Sequence, residues 1–565
     1  MGICYTVDTP VRVAHFGITS VISLVDDGLL EEYRMAYAER LGLDLGSPQT
    51  TRIGRIRSYL DFVADEVERK FTRLCAERLD GGSDKDLYFL MLPLDSPLRV
   101  EYDGVFAKTG LARVAAEALL TEKMEPGDIQ VNIMVGLNHE NAAFDAVRGF
   151  AGSKVKGALV LSAGVNLAVF EEIAKCKDFY RINEKAPSKR IILKVSDYRS
   201  ALIQGRYLAK KGLEVYEYRI ESGVNCGGHA FFESKKLMLD VVREFMAKRD
   251  ELFAATCGMI AKAAANSSVQ GICPPHVPAR ITAQGGLCAP EDIEKIMSFG
   301  IDGVGVGTPF LLVPQATSVD KDTRRILAKA TVDDVYISHA SPLEIPFVNL
   351  RTSTAATLCR DKIREYFAPQ DQKSGALELQ PGFPCRQHYL CRHVVGFDHP
   401  VCMSSREYEM HRLAEIDKLE KEDLDACEMR PYNADAEDVQ EASQKEKSRE
   451  ELMTAIRRKY DKLRRVTLSR ECICRFLGNA GREEIREKSP SLHYQPESVA
   501  VARGSVPERV REPVTICPNP DIGYFDREYT LFEMMRHLYG TGPCLTPKDK
   551  PSAFEVEEKI LKSVT

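Results

Sequence analysis

Two stretches decide the reading of this chain: Ala279-Arg280-Ile281-Thr282-Ala283-Gln284-Gly285-Gly286 and Asp302-Gly303-Val304-Gly305-Val306-Gly307-Thr308. Each is a short β-type run that ends in a glycine turn, and residues 290–299 between them have helical spacing. Backbone without side chains lets several N–H donors converge on an anion, and the following helix N-terminus favours negative charge. In an eight-stranded (β/α)₈ barrel the loops after the last two strands form a phosphate site in this way. One glycine pair alone would need only the freedom to adopt positive φ. Two in succession predict a bound phosphate group.

Outward from these turns, apolar runs rich in Val, Ile and Leu recur at 11–16, 129–135, 157–161, 190–195, 213–220, 279–283 and 303–306. Helix-length segments separate most of them, which is the pattern of buried parallel strands with helical crossovers. A barrel or a doubly wound sheet is expected. Seven strands are one short of a barrel, and either 20–25 or 86–94 would supply the eighth. Residues 27–128 exceed what a minimal barrel needs. Within them Ile56, Leu60, Val63, Val67, Phe71 and Leu74 fall at helical spacing, predicting an amphipathic helix over 55–79 docked on the chain's own core.

Past residue 350 the strand pattern stops. A linker is expected over 368–383, then a Cys- and His-rich stretch, a solvated helix from about 436 to 470, an irregular tail over 487–522 and a short helix at 531–539. The expected domains are therefore 1–350, with an insertion at about 27–128, and a mainly helical or irregular Cys-rich region over 351–565.

One strand before the paired turns, Glu221-Ser222-Gly223-Val224-Asn225-Cys226-Gly227-Gly228-His229 closes the strand that begins near Leu213. His229 then stands at the mouth formed by the strand C-termini, where barrel enzymes keep catalytic groups, behind glycines that let a flat cofactor lie on the main chain. His229 is the expected catalytic residue.

The chain has 565 residues, 44% hydrophobic and 28% charged, which suits a globular protein with a sizeable core. A net charge of −6 and a pI near 6.1 argue against a broad positive field for nucleic acid or anionic lipid. No run reaches the roughly 20 apolar residues that span a bilayer; the longest, 157–170, carries Ser162 and Asn166. The N-terminus lacks the basic start and apolar run of an export signal, so a cytoplasmic protein is expected. Met1-Gly2 with Thr6 fits a loose acylation pattern that is short and common. The expected partner is a small-molecule substrate, with no nucleic acid and no membrane, and a homo-oligomer is compatible with the sequence.

The order of a strand ending in Gly-Gly-His, a strand ending in a Gly-Gly turn, and Gly300-Ile301-Asp302-Gly303-Val304-Gly305-Val306-Gly307-Thr308-Pro309-Phe310 resembles the nitronate monooxygenase and FMN-dependent enoyl reductase superfamily, formerly the 2-nitropropane dioxygenases. The resemblance covers roughly residues 10–25 and 129–350, with Ser341-Pro342-Leu343-Glu344-Ile345-Pro346 similar to a segment that follows the barrel. It implies a (β/α)₈ TIM barrel holding FMN, with the phosphate on Gly285, Gly286, Gly307 and Thr308, and with Gly305 also among the cofactor-binding residues. It places the isoalloxazine over Ala14 to Gly17, near Asn132 and near Cys226, Gly227 and Gly228. Lys194 would stabilise the reduced flavin, or would be a solvated or salt-bridged lysine. His229 matches the histidine that handles a substrate proton or polarises the substrate. The chain departs from the family pattern at Ala14-His15-Phe16-Gly17, where Gln-Gly-Gly-Met-Gly is usual, at Asn225, often acidic, and at Phe231, usually Gly.

The implied activity is an FMN-dependent oxidoreductase, foremost a nitronate monooxygenase-like oxidation of a small organic substrate by O₂. The alternatives are reduction of enoyl thioesters or quinones by NAD(P)H, a barrel scaffold carrying a Cys-rich electron-transfer or docking module, and a non-flavin phosphate-binding barrel. Of 16 cysteines, seven precede residue 350 and nine follow it. Cys385, Cys391 and Cys402, interleaved with His388, His393 and His399, have the composition for zinc or an iron–sulfur cluster. No Cys-x-x-Cys pair occurs there, so plain thiols are the expectation and no metal ligand is assigned.

Overall fold

The computed structural model describes residues 6–24, 26–135, 142–162, 164–223, 236–339, 341, 345–369, 401–428, 439–471, 484, 516 and 519–564. Seven strands form one sheet: β1 (Ser20–Ser23), β2 (Ile129–Met134), β3 (Ala158–Ser162), β4 (Arg190–Val195), β5 (Glu217–Glu221), β6 (Arg280–Gln284) and β7 (Gly303–Gly305). They lie in sequence order and every neighbouring pair is parallel. Strict sequence order means that each helical crossover advances the sheet by one strand, the winding of a barrel rather than of a doubly wound sheet.

The two sheet faces differ in chemistry. Val131, Ile133, Leu159, Leu161, Ile191, Leu193, Ile220, Ile281 and Ala283 belong to the main apolar core. The register puts Gln130, Asn132, Lys194, Glu217, Arg219, Glu221, Thr282 and Gln284 on the other face. Across that face Arg219 on β5 donates to Gln130 Oε1 on β2 at 2.7 Å. Two strands intervene, and in a flat sheet that pair would stand about 14 Å apart. The sheet is therefore curled with the polar face inward. Glu217 accepts from Arg219 at 2.8 Å and from the Thr282 hydroxyl at 2.6 Å, so the buried charge is paired and bonded.

Closure differs from the expected eight strands. No strand pairing joins β7 to β1 among the described residues. The stretch 11–16, expected as a strand, is instead the helix Thr9–Val13 followed by the 3-10 turn Ala14–Phe16. Pro10 at the helix start and Gly17 at φ +78° at its end supply a helix start and stop that an alternating apolar pattern does not reveal. This helical segment fastens to the chain beyond β7: Arg12 donates to the Pro314 carbonyl at 3.0 Å and Ser318 to Asp8 at 2.7 Å. Of the two candidates for the further strand, 20–25 supplies β1, and 86–94 overlaps the helix Asp84–Leu90, started by a Ser83/Asp86 capping box. The fifth strand begins at Glu217, later than the apolar run suggested.

The inserted material is helical. Arg52–Ala76 buries Ile56, Leu60, Val63, Val67 and Leu74, as its spacing predicted. Helices Asp84–Leu90, Pro97–Val105 and Gly110–Thr121 contribute to a second, smaller core with Phe89, Tyr102 and Leu120. In the C-terminal half, Arg406–Glu428 pairs with Val439–Leu468, tied by Arg464 to Asp417 and Lys459 to Asp423. Strands Val335–Ser338 and Phe347–Leu350 form a separate antiparallel pair. From Ile516 onward the chain returns to the sheet: Ile516, Ile522, Phe525, Leu531, Met534 and Leu538 share the core of β1 to β7. The helix expected at 531–539 is Leu531–Leu538. No helix among the described residues is long and apolar enough to cross a membrane.

Candidate active site at the strand C-termini

Parallel strands put all their C-terminal ends at one mouth. There Lys194 Nζ meets Glu221 Oε2 at 2.9 Å, and Gln284 Nε2 donates to Glu221 Oε1 at 2.7 Å. The Glu221 carboxylate is 4% exposed. Lys194, Glu221 and Gln284 come from β4, β5 and β6 and share the inward face, as does Asn132 of β2. For Lys194 the structure shows the salt-bridged alternative; Glu221 and Gln284 carry no role in the sequence reading. The signal for them was positional, since both are polar and stand where a strand runs into a glycine turn.

The glycine turns stand beside this cluster. Gly285 and Gly286 have φ of +122° and +72°, which only glycine adopts freely. The N–H groups of Gly286 and Gly307 meet no acceptor among the described residues. Main-chain donors on two adjacent turns with no acceptor among the described residues fit an anion such as a phosphate group. The Gly305 position is confined, because a Cβ there would stand 3.0 Å from Gln284 Cβ. Thr308 is 1% exposed and its hydroxyl oxygen accepts the Asn519 N–H at 3.1 Å, so its side chain is engaged by the C-terminal segment.

That segment clasps three successive loops at the mouth. Asn519 reaches Thr308 after β7; His537 Nε2 reaches the Cys288 carbonyl after β6 at 2.9 Å; and Glu557 accepts from the Ser222 hydroxyl at 2.5 Å and from the Met238 N–H at 3.0 Å. Burial pushes the Glu557 carboxyl up and the His537 imidazole down. Ser222 and Met238 bracket the residues that include Cys226, Gly227, Gly228 and His229, which lie outside the described residues, as do Asn225 and Phe231.

Ala14 and Gly17 are not brought to this mouth. The Ala14 carbonyl accepts the Gly127 N–H at 2.7 Å, and Gly17 and Gly127 precede β1 and β2. They therefore sit at the N-terminal end of the sheet, because the segment before β1 is helical and leads into a strand instead of ending one. Beside them His15 is pushed down to about 4 by burial and by the nearby Lys70.

Cys385, Cys391, His388, His393, His399 and residues 342–344 lie outside the described residues. Cys402 is buried with its thiol 3.1 Å from the Ser404 hydroxyl. No group of three metal-ligating side chains occurs among the described residues.

No family model matches the chain, and no curated protein matches it. Solved structures similar to it include FabK from Thermotoga maritima, at 17% identity over 49% of this chain and 70% of that one, with a TM-score of 0.27. A mutant of the same protein is spanned over only 62% of its length. The enoyl reductase domain of MlnA from the macrolactin biosynthesis cluster of Bacillus amyloliquefaciens is similar at 12% identity over 83% of this chain and 86% of its own, with a TM-score of 0.35. Nitroalkane oxidase from Streptomyces ansochromogenes is similar at 11% identity over 43% and 67%, with a TM-score of 0.24. None of these reaches a TM-score of 0.5.

Proposed function

We propose that this chain is an FMN-dependent oxidoreductase that works at the C-terminal mouth of its curled sheet and oxidises a small organic substrate with O₂ in a nitronate monooxygenase-like reaction. The observation that carries the reading is the pair of glycine turns whose Gly286 and Gly307 N–H groups meet no acceptor among the described residues, beside the Lys194–Glu221–Gln284 cluster. FMN, when bound, supplies the electron transfer.

The chain's own residues then have limited tasks. Main-chain N–H groups of Gly285, Gly286, Gly307 and Thr308 bind the phosphate. Lys194 presents a cation to negative charge at the mouth, held in position by Glu221, which Gln284 holds in turn. Asn132 adds an amide on the same face. His229 takes or gives the substrate proton, and Cys226 to Gly228 offer main chain against a flat ring. Ala14 and Gly17, at the other end of the sheet, do not belong to this site.

The test is O₂ uptake by the FMN-loaded protein with alkyl nitronates and no NAD(P)H. Substrate-dependent uptake is expected. NAD(P)H oxidation that depends on an enoyl thioester or a quinone, without nitronate turnover, would move the assignment to the reductase alternative.

A further inference from the structure

The 3-10 turn Pro520–Tyr524 of the returning C-terminal segment follows Asn519, whose N–H reaches Thr308 at the mouth, and its Gly523 packs on the 3-10 turn Val332–Asp334, where a Cβ would stand 2.5 Å from the Val332 nitrogen. It carries Asp521, which is 4% exposed. The Asp521 carboxyl faces the Thr308 hydroxyl on the turn after β7 and the Cys288 thiol on the turn after β6. One carboxyl thus stands between Cys288 and Thr308, the residues that follow the two glycine turns. Its Oδ1 is buried and has no hydrogen-bond partner among the described residues.

We propose that Asp521 makes anion binding at the two glycine turns proton-coupled, so that a phosphate group held by the Gly286 and Gly307 N–H groups is taken up together with one proton on Asp521. This rests on reading the turns as a phosphate cradle. A second negative charge beside the cradle, away from water, would repel the phosphate, and neutralising the carboxyl removes that repulsion. The proton comes from solvent and no bond to the ligand forms.

The surroundings support a carboxyl that can change state. Burial pushes Asp521 up to about 7, against the opposing influence of Thr308, Cys288 and the Lys550 ammonium. Asp292, which also faces Cys288 and Tyr524, is tied to Lys550 at 3.5 Å and to the Ala553 N–H at 3.1 Å. His537 spends its Nε2 on the Cys288 carbonyl and accepts the Leu545 N–H at Nδ1.

The test is binding of FMN, with riboflavin as the phosphate-free control, to the flavin-free full-length protein between pH 7.5 and 8.5. A phosphomonoester, with a second pKa of about 6, stays dianionic across that range. FMN affinity is expected to fall up to about tenfold over that unit, as one coupled proton requires. Riboflavin affinity stays flat, and Asp521→Asn removes the FMN dependence. Titration calorimetry of the unsubstituted protein in two buffers of different ionisation enthalpy should show uptake approaching one proton per FMN, independently of whether the variant folds. FMN binding with no proton uptake, or an unchanged pH dependence in Asp521→Asn, overturns the inference while leaving the flavin reading intact. If FMN does not bind, inorganic phosphate that raises the Tm at pH 7.5 more than at pH 8.5, with the difference abolished in Asp521→Asn, would retain the inference and discard the flavin. Phosphate without such an effect would discard both.

Discussion

Lys194 and Glu221 face each other at 2.9 Å from adjacent strands, at the same end of the sheet as both glycine turns. Lys194 remains partly open to the mouth, its side chain 17% exposed, while Glu221 is almost wholly buried. Removing the cation leaves the buried Glu221 charge without its ammonium, although Gln284 still donates to it. Lys194→Met is expected to lower stability by about 3 kcal/mol, and adding Glu221→Gln to recover at least half of that. Urea unfolding of the two singles and the double closes the cycle; additive effects would show that the pair is not coupled.

The inward network has a sharper consequence for the fold. Glu217→Ala leaves the Arg219 guanidinium, whose side chain is 10% exposed, without its carboxylate and should cost about 3–5 kcal/mol. Gln130→Ala should cost about 1 kcal/mol, and combining it with Arg219→Ala should reveal a coupling above about 0.5 kcal/mol. Zero coupling would mean that β2 and β5 do not approach each other across the sheet.

Much of this was legible in the sequence. Strands β2, β3, β4 and β6 announce themselves because one face is continuously apolar, and the helix Arg52–Ala76 because its buried residues repeat at the helical period. The run 11–16 misled because Val-Arg-Val alternates as a strand would, while Pro10 and Gly17 were the deciding residues and belong to capping chemistry. Glu221 and Gln284 were invisible as partners since their contact depends on the β5–β6 register. Asn519, two residues before Asp521, and Glu557 reach the mouth through contacts spanning more than 200 and more than 300 residues, which no local pattern encodes.

Glu557 should set both loop order and pH response. Its Oε1 accepts from Ser222 and Met238, so Glu557→Gln keeps the acceptor while Glu557→Ala loses it, at about 2 kcal/mol. Because burial raises this carboxyl in the folded protein, the folded state holds a proton that the unfolded state has already lost. Stability therefore falls as pH rises from the unfolded carboxyl range through the raised folded value, and Glu557→Gln should flatten that part of the profile. Thermal unfolding at pH 4 to 7 reads the difference; parallel profiles would contradict it.

Asp521 adds the same sign over a stated window. With the folded carboxyl pushed from 3.8 up to about 7, stability is lost as pH rises between those values. At pH 8 Asp521→Asn should be more stable than the natural chain by about 4 kcal/mol without ligand, by denaturant unfolding. A less stable variant would mean that the ionised carboxylate is favourably paired.

His229→Ala should lower turnover by about 10²- to 10⁴-fold with flavin content unchanged, as expected for loss of a proton-transfer group. Unchanged turnover would take the proton step away from His229.

The most direct measurement is the ultraviolet–visible spectrum of the full-length protein purified without added cofactor, followed by heat release and identification of any flavin. The two absorption bands of oxidised flavin, with FMN released at one per chain, are the predicted result. A colourless protein that also fails to bind added FMN would contradict the account and leave the Gly286 and Gly307 turns to another anion.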